Sequence, residues 1–332
     1  MARTAVVALG GNAITRSGQT GTSEEQTTNA RSMAKAVCEL REAGWRVVLV
    51  HGNGPQVGNI AIQQEEAAHL VPELPLFWQN AMTVGQLGSL LTLALHEAGG
   101  GRLPGVVTVV THVLVDRADP AFDRPTKPIG PFMGEDEARQ HAAQRGWTIT
   151  EDAGRGYRRI VPSPRPLRII EIDAIRTLVE RGLVVVAAGG GGLPVVAADG
   201  SGYIGLDAVI DKDLTAQELA NALDADALVL VTDVAQVMLD YGTPQARPIL
   251  EMTVDEAEAH DAAGQFPPGS MGPKMRADEP DGRAGGSTAV VTNAELVSAS
   301  LGAQPGPGTR IVGAAPRSSG GADVGAARTG AA

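Results

Sequence analysis

The strongest constraint on this chain is a repeating unit: a short run of Val, Leu, Ile and Ala, then a glycine-bearing turn, then a helical pattern. The runs are Thr4–Leu9, Trp45–His51, Val106–Val115, Leu183–Ala188 and Ala227–Thr232. The helical patterns fall near Ser23–Ala43, Gln56–Leu70, Trp78–Ala98, Leu167–Arg181 and Leu214–Leu223. Runs that are apolar at nearly every position belong to strands covered on both faces. Their alternation with helices predicts an α/β fold with a mostly parallel sheet and right-handed crossovers. In such a sheet ligands bind outside the carboxyl ends of the strands, so the turns that follow the runs are where chemistry is expected. Aromatic residues make up 3% of the chain, which leaves the core to aliphatic side chains.

Two stretches break the rhythm. Asp116–Pro166 carries Pro120, Pro125, Pro128, Pro131, Pro162, Pro164 and Pro166, with a helical pattern around Glu135–Arg145. It reads as an insertion standing out from the body, a lid in the functional reading and a decorated surface loop in the plain one. Beyond Arg276, Asp278–Ser287 is rich in Gly, Pro and Asp, and Ala289–Thr292 reads as a last strand. The tail, Ala314–Ala332, has little to bury and is expected to be disordered.

Charge narrows the function. With 27 basic and 38 acidic residues the net charge is −11, which argues against a general affinity for nucleic acid. Any phosphate must then be met by a few placed lysines. Cys38 is the single cysteine, so no internal disulfide forms. It lies beside the stripe Ala30, Met33, Val37, Leu40 and reads as a small buried hydrophobe. The beginning of the chain lacks a signal-peptide pattern and no apolar run reaches membrane-spanning length, so a reducing cytoplasm is expected.

Five motifs carry candidate chemistry. Gly10-Gly11-Asn12 and His51-Gly52-Asn53-Gly54-Pro55 each sit between a strand and a helix, where glycines let backbone N–H groups turn toward an anion. One such turn is weak; two at neighbouring strand ends suggest one anion site. His51 alone reads as a strand-end or core histidine. Gly189–Gly192 is entropically costly, and close approach of backbone to a ligand is weighed there against a hinge. In Asp211-Lys212-Asp213, Asp213 suits a helix N-cap and Lys212 is aimed between two carboxylates. Such a lysine could bridge phosphates during transfer; a surface ion pair is the plain alternative. Phe266–Lys274 is a Pro/Gly-rich loop ending in a lysine.

Other chemistries fail on particular residues. Ser270 stands where a P-loop requires lysine, and Pro268 where a nucleophile elbow requires glycine. The Asp211 loop has Ala216 at the EF-hand glycine, neither Gly52-Asn53-Gly54 nor the Gly189–Gly192 turn makes the fingerprint G-x-G-x-x-G, and the six histidines lack zinc spacing.

In order and spacing the stretches VVALGGNAI, HGNGPQVGN, PTKPIGPF, EDAGRGYRRIVPSPRP, AAGGGGLPVV, AVIDKDLTAQELA, LVTDVAQVMLDYG and FPPGSMGPK resemble the amino-acid kinase superfamily, and within it the carbamate kinases. The resemblance implies a three-layer α/β/α sandwich at about residues 1–313. In it an N-terminal lobe (about 1–200) takes carbamate, a protruding subdomain (about 116–166) covers the site, and a C-terminal lobe (about 201–313) takes the nucleotide. It implies reversible phosphoryl transfer between ATP and carbamate with Mg²⁺ held through phosphates and not by assigned side chains. It also implies a homodimer, with ATP synthesis in arginine catabolism as the useful direction. Carried over residue by residue, Lys127, Lys212 and Lys274 handle phosphate and Asp213 orients the lysines. Gly10, Gly11, Asn12, Gly52, Asn53, Gly54, Gly190 and Gly191 surround acceptor and transferred phosphate, while Asp233, Val237, Met238 and Tyr241 (with Lys274) line the nucleotide pocket. The segment 275–287 departs from the family in lacking an amphipathic helical pattern. Alternatives are a kinase of another small carboxylate, such as acetylglutamate, and a nucleotide-binding relative without catalysis.

Overall fold

A computed structural model describes residues 2–16, 18–151, 156–266, 288–302 and 306–312. In chain order the first elements are β1 (Thr4–Leu9), α1 (Gly11–Ile14), α2 (Ser23–Glu42), β2 (Arg46–His51), α3 (Gly54–Ala67), α4 (Leu76–Gly99), β3 (Val106–Thr108) and β4 (His112–Leu114). There follow β5 (Lys127–Met133), α5 (Glu135–Arg145), β6 (Thr148–Glu151), β7 (Tyr157–Val161), β8 (Arg168–Ile169), α6 (Ile172–Glu180), β9 (Val184–Val186), β10 (Leu193–Ala197) and β11 (Tyr203–Gly205). Last come α7 (Lys212–Ala222), β12 (Ala227–Thr232), β13 (Met238–Leu239), β14 (Arg247–Pro248), β15 (Glu251–Thr253), α8 (Val254–Ala262), β16 (Thr288–Asn293) and β17 (Thr309–Val312).

Eight strands form one sheet in the order β15-β17-β16-β12-β1-β2-β9-β3. From β16 to β3 every neighbouring pair is parallel; β17 runs antiparallel to β16, and β15 is parallel to β17. Alternate residues of one strand go to opposite cores, as the two-residue period of a strand requires. On β1, Val6 and Ala8 join the core built with α6, α7 and α8, while Ala5, Val7 and Leu9 join the core built with α2 and α4. The continuous apolar runs are thus explained by helices on both faces, each buried Val or Leu contributing about 1.5–3 kcal/mol. Cys38 is buried on α2. No helix among the described residues is long and apolar enough to cross a membrane.

Residues 127–161 form a separate three-stranded antiparallel sheet, β5-β7-β6, with α5 over the expected Glu135–Arg145. A third sheet, β11-β10-β4-β8, takes β4 from just before the insertion and β8 from just after it.

Three expectations are corrected. Val106–Val115 is not one strand. Its first part pairs with β9 in the main sheet, and its second, after a bend at Thr111, pairs with β10. Thr111 makes the bend by donating to the Val109 carbonyl at 2.8 Å and accepting the Ala188 N–H at 2.9 Å. The helix read from Leu167 begins at Ile172, because the edge of β4 captures Arg168–Ile169 as a strand after the proline-rich approach. The N-cap of α7 is Asp211 and not Asp213. Asp211 Oδ1 accepts the Asp213 N–H at 2.9 Å, so the helix starts two residues earlier and has Lys212 and Asp213 in its first turn. The segment 275–287 and the tail from 314 lie outside the described residues.

Candidate active site

Because β12, β1, β2 and β9 are parallel neighbours in register, their carboxyl ends lie side by side on one edge of the sheet. Leu9 is level with both His51 and Val231. The Gly10 N–H donates to the Val231 carbonyl at 3.2 Å and the Gly52 N–H to the Leu9 carbonyl at 3.0 Å, which ties the three turns together. Gly10 is half-buried, and Gly11 and Asn12 open the short α1. Gly52 and Gly54 are half-buried, whereas Asn53 is buried with Nδ2 donating to Asn80 Oδ1 at 2.5 Å and Thr83 Oγ1 at 2.6 Å. Asn80 and Thr83 were not singled out from sequence. Their signal is polar residues, Asn80 and Thr83 with Gln79, set among the apolar positions of a long helix.

The Gly189–Gly192 turn is wholly buried, and its crowding comes from protein atoms. A methyl group on Gly189 would meet His51 Nε2 at 2.4 Å, one on Gly190 the Asn53 amide at 2.4 Å, and one on Gly191 the Ile210 carbonyl oxygen at 2.2 Å. Gly190, Gly191 and Gly192 also take φ of +67°, +88° and +83°, a region that favours glycine. The glycines are therefore a packing necessity that brings the β2 and β9 turns against the loop before α7, and the turn is no hinge. The preceding Ala188 sits at φ +49°, a non-glycine residue held there by the surrounding packing. Burial pushes the His51 imidazole down to about 4, despite a contact with the Gly52 carbonyl, so it is a neutral core histidine at neutral pH.

The charged groups converge on Asp211. Lys127, at the start of β5, donates to Asp211 Oδ2 at 2.5 Å, and Lys212 donates to Asp213 Oδ1 at 2.6 Å. Lys212 and Asp213 are both buried, and Thr215 Oγ1 links the same turn of α7 to the Gly191 carbonyl at 2.8 Å. The carbonyl of Pro128 lies 4.0 Å from the position of a Cβ on Gly54, so the insertion delivers Lys127 beside the second glycine turn. Sequence spacing set Lys212 beside two carboxylates, one of which, Asp213, it meets, but it did not point to Asp211 as the partner of Lys127, since the two are 84 positions apart.

Burial resists the Asp211 charge, but Lys127, then Lys212 and the Asp213 N–H, outweigh it and hold the carboxyl well below the usual carboxylate range. Its stabilisation is complete above the unfolded value of about 3.9 and is lost as pH falls toward the depressed folded value. The stability deficit of Asp211→Asn is therefore expected to be constant above about pH 5 and to shrink below about pH 4. Urea midpoints between pH 7 and pH 3 measure it, and a deficit unchanged down to pH 3 would dissociate the carboxylate charge from the pairing.

Of the residues expected at a nucleotide, Asp233 is exposed just after β12 and accepts from Thr232 Oγ1 at 3.0 Å. Met238 is half-buried and Tyr241 is 71% exposed. Val237 is different: its side chain is wholly in the core and its N–H donates to Thr309 Oγ1 at 2.8 Å, so it supports this region from beneath. Lys274 lies outside the described residues. Among the described residues no three His, Cys, Asp or Glu side chains gather as a metal-ligand set, and the carboxylates nearest the lysines are engaged by them.

This architecture and order of motifs have relatives. The amino acid kinase family model matches residues 3–278. A carbamate kinase of Pyrococcus horikoshii is 43% identical over 294 residues, covering 87% of this chain and 93% of the relative. Carbamate kinase 1 of Enterococcus faecium is 44% identical over 280 residues, covering 83% and 88%. The structure of a carbamate kinase from Giardia lamblia bound to AMP-PNP superposes with a TM-score of 0.83 at 39% identity, over 94% of this chain and 98% of that one. An N-acetylglutamate synthase from Neisseria gonorrhoeae, at 18% identity and a TM-score of 0.56, shares the fold alone. The chain belongs to the amino acid kinase family and, within it, to the carbamate kinases.

Proposed function

We propose that this chain transfers a phosphoryl group reversibly between ATP and carbamate, by direct in-line displacement. The observation that carries the reading is the meeting of Lys127 from the insertion and Lys212 from the first turn of α7 around Asp211, beside the glycine turns at the sheet's carboxyl edge. Phosphoryl transfer asks little covalent help of a protein; it asks for alignment and for positive charge along the transfer line. Carbamate and the nucleotide phosphates repel one another, and both lysines are already aimed, Lys212 buried and Lys127 half-buried. In this reading the substrate's phosphoryl oxygens compete with Asp211 and Asp213 for the two ammonium groups, with Lys274 as the third. Backbone N–H groups of the Gly10–Asn12 and Gly52–Gly54 turns would hold the acceptor and the transferred group.

The lobes follow the same logic. The first, about 1–200, holds carbamate under the 116–166 subdomain, and the second, about 201–313, holds the nucleotide near Asp233, Met238 and Tyr241. That a carbamate kinase of the same fold from Giardia lamblia was solved bound to AMP-PNP supports a nucleotide as one substrate. Mg²⁺ would be held through phosphate oxygens, which fits carboxylates already paired with lysines. It supplies charge neutralisation between the phosphates when bound. Residence in the cytoplasm and ATP synthesis from carbamoyl phosphate in arginine catabolism complete the reading. A homodimer belongs to it too, and the exposed Trp78, Met82 and Leu93 along α4 are a candidate surface, checked by the mass in sedimentation.

The deciding experiment is a coupled assay for ATP from ADP and carbamoyl phosphate with Mg²⁺. We expect ATP formation that depends on every component. Folded protein that makes no ATP above background would overturn the reading.

A further inference from the structure

Among the described residues the inserted sheet meets the body through apolar packing of Ile129 and Val161 on Val57 and Val209 and through two charged contacts that lie apart. One is the Lys127–Asp211 pair. The other uses no residue of the strand-end turns and is centred on Glu65, near the end of α3. The Glu65 side chain is 9% exposed and gathers three donors from the insertion: Arg145, Trp147 Nε1 at 2.9 Å and Arg159 Nη1 at 3.2 Å. Arg159 lies over the Trp147 ring at 5.0 Å, and His141 also stacks on Trp147, at 4.6 Å between centroids. Burial disfavours the Arg159 charge and the Glu65 carboxylate offsets that cost. Met133, Ala138 and Trp147 close the contact as a small apolar cluster with Ile62 of α3, apart from the two main cores.

This anchor bears on the site through the strand ladder. Arg159 is opposite Ile129 on β5, and Lys127 is opposite Val161 on β7, two positions along the same pairing. One position beyond Ile129, Gly130 rests directly on Gly58 of α3, where a Cβ on Gly58 would fall 1.8 Å from the Gly130 Cα. A ladder fixed at Arg159 and seated at Gly130 leaves Lys127 little freedom to leave Asp211. We propose that Glu65 is a positioning residue for phosphoryl transfer. By collecting Arg145, Trp147 and Arg159 it seats the β5–β7 ladder on α3 and keeps Lys127 at the site. The inference rests on the proposed function insofar as Lys127 is taken to act on phosphate.

The test uses the full chain with Glu65→Gln, which keeps size and a hydrogen-bond acceptor but removes the charge facing two guanidinium groups. Glu66→Gln, at an exposed residue that meets Arg145 alone of the three, is the control. In Glu65→Gln, kcat for ATP formation is expected to fall about tenfold or more, while the KM for ADP changes less than about twofold, because misplacement of a reacting group costs rate before affinity. Amide exchange should quicken in 127–133 and 157–161 and stay unchanged in β1 and β2. Wild-type kcat in folded Glu65→Gln would overturn the proposal, and so would exchange that rises equally throughout the main sheet, the mark of a general stability role. If the unaltered chain makes no ATP, the functional reading falls, while the exchange pattern still decides whether Glu65 anchors the ladder.

Discussion

Replacing Lys212 by alanine is expected to lower turnover about a hundred- to a thousand-fold, the scale for losing one preorganised charge stabiliser. Lys212 is buried in the first turn of α7, with its ammonium 2.6 Å from Asp213 Oδ1. It is held there by a helix start that Asp211 caps and that Thr215 fastens to the Gly191 carbonyl. A lysine so fixed does not have to reorganise when charge shifts along the transfer line, which is why its loss should fall on kcat more than on substrate KM. Lys212→Arg is the informative companion. It restores the charge but replaces a compact ammonium with a planar fork, and is expected to recover part of the lost rate at most. Steady-state kinetics on folded variants decide the matter. Near-normal turnover in Lys212→Ala would remove this residue from the mechanism.

The largest expected stability effect is at Gly191. An alanine methyl there would lie 2.2 Å from the Ile210 carbonyl oxygen and 2.8 Å from the carbon that bears it. The obstacle is backbone, so no side chain can swing away, and the position also has φ +88°. Together these should cost on the order of 3–5 kcal/mol, a large part of a typical folding free energy. Gly44→Ala supplies the comparison, because φ is +86° there and nothing lies within 4 Å of the added methyl. It should cost about 1 kcal/mol, from conformation alone. Denaturant midpoints give both values. Equal losses at the two positions would discard the steric argument, whereas the expected gap identifies the contact between the poly-glycine turn and the loop before α7 as a joint of the fold. Any Gly191→Ala protein that does fold should also show reduced activity, since the displaced carbonyl immediately precedes Asp211.

Much of this could be read along the chain. The apolar runs at Thr4–Leu9 and Ala227–Thr232 are strands over those same residues, and the Glu135–Arg145 helix of the insertion keeps its bounds. These are segments whose periodicity, length and flanking glycines agree. The failures are places where two structures compete for one kind of sequence. Val106–Val115 is Val-rich from end to end, so nothing local marks the bend at Thr111 where it passes from one sheet to another. Asp211 and Asp213 are equally good capping residues, and the choice fell to Asp211 because its second carboxylate oxygen is taken by Lys127.

The chain by itself determined the α/β class, the parallel sheet and the strand-end turns, because hydrophobic period, glycine and helix-capping chemistry act over a few neighbouring residues. It also singled out Lys212 through the short Asp211-Lys212-Asp213 motif, whereas Lys127 entered only through the resemblance to a family. The tertiary structure alone decided what those groups touch. Asp211 became the meeting point of two lysines, the four glycines became packing necessities against His51, Asn53 and Ile210, and Glu65 became the seat of the insertion. Each of these depends on pairs brought together across tens of residues. Such contacts are set by how helices and sheets close on a common core, and no local pattern records them.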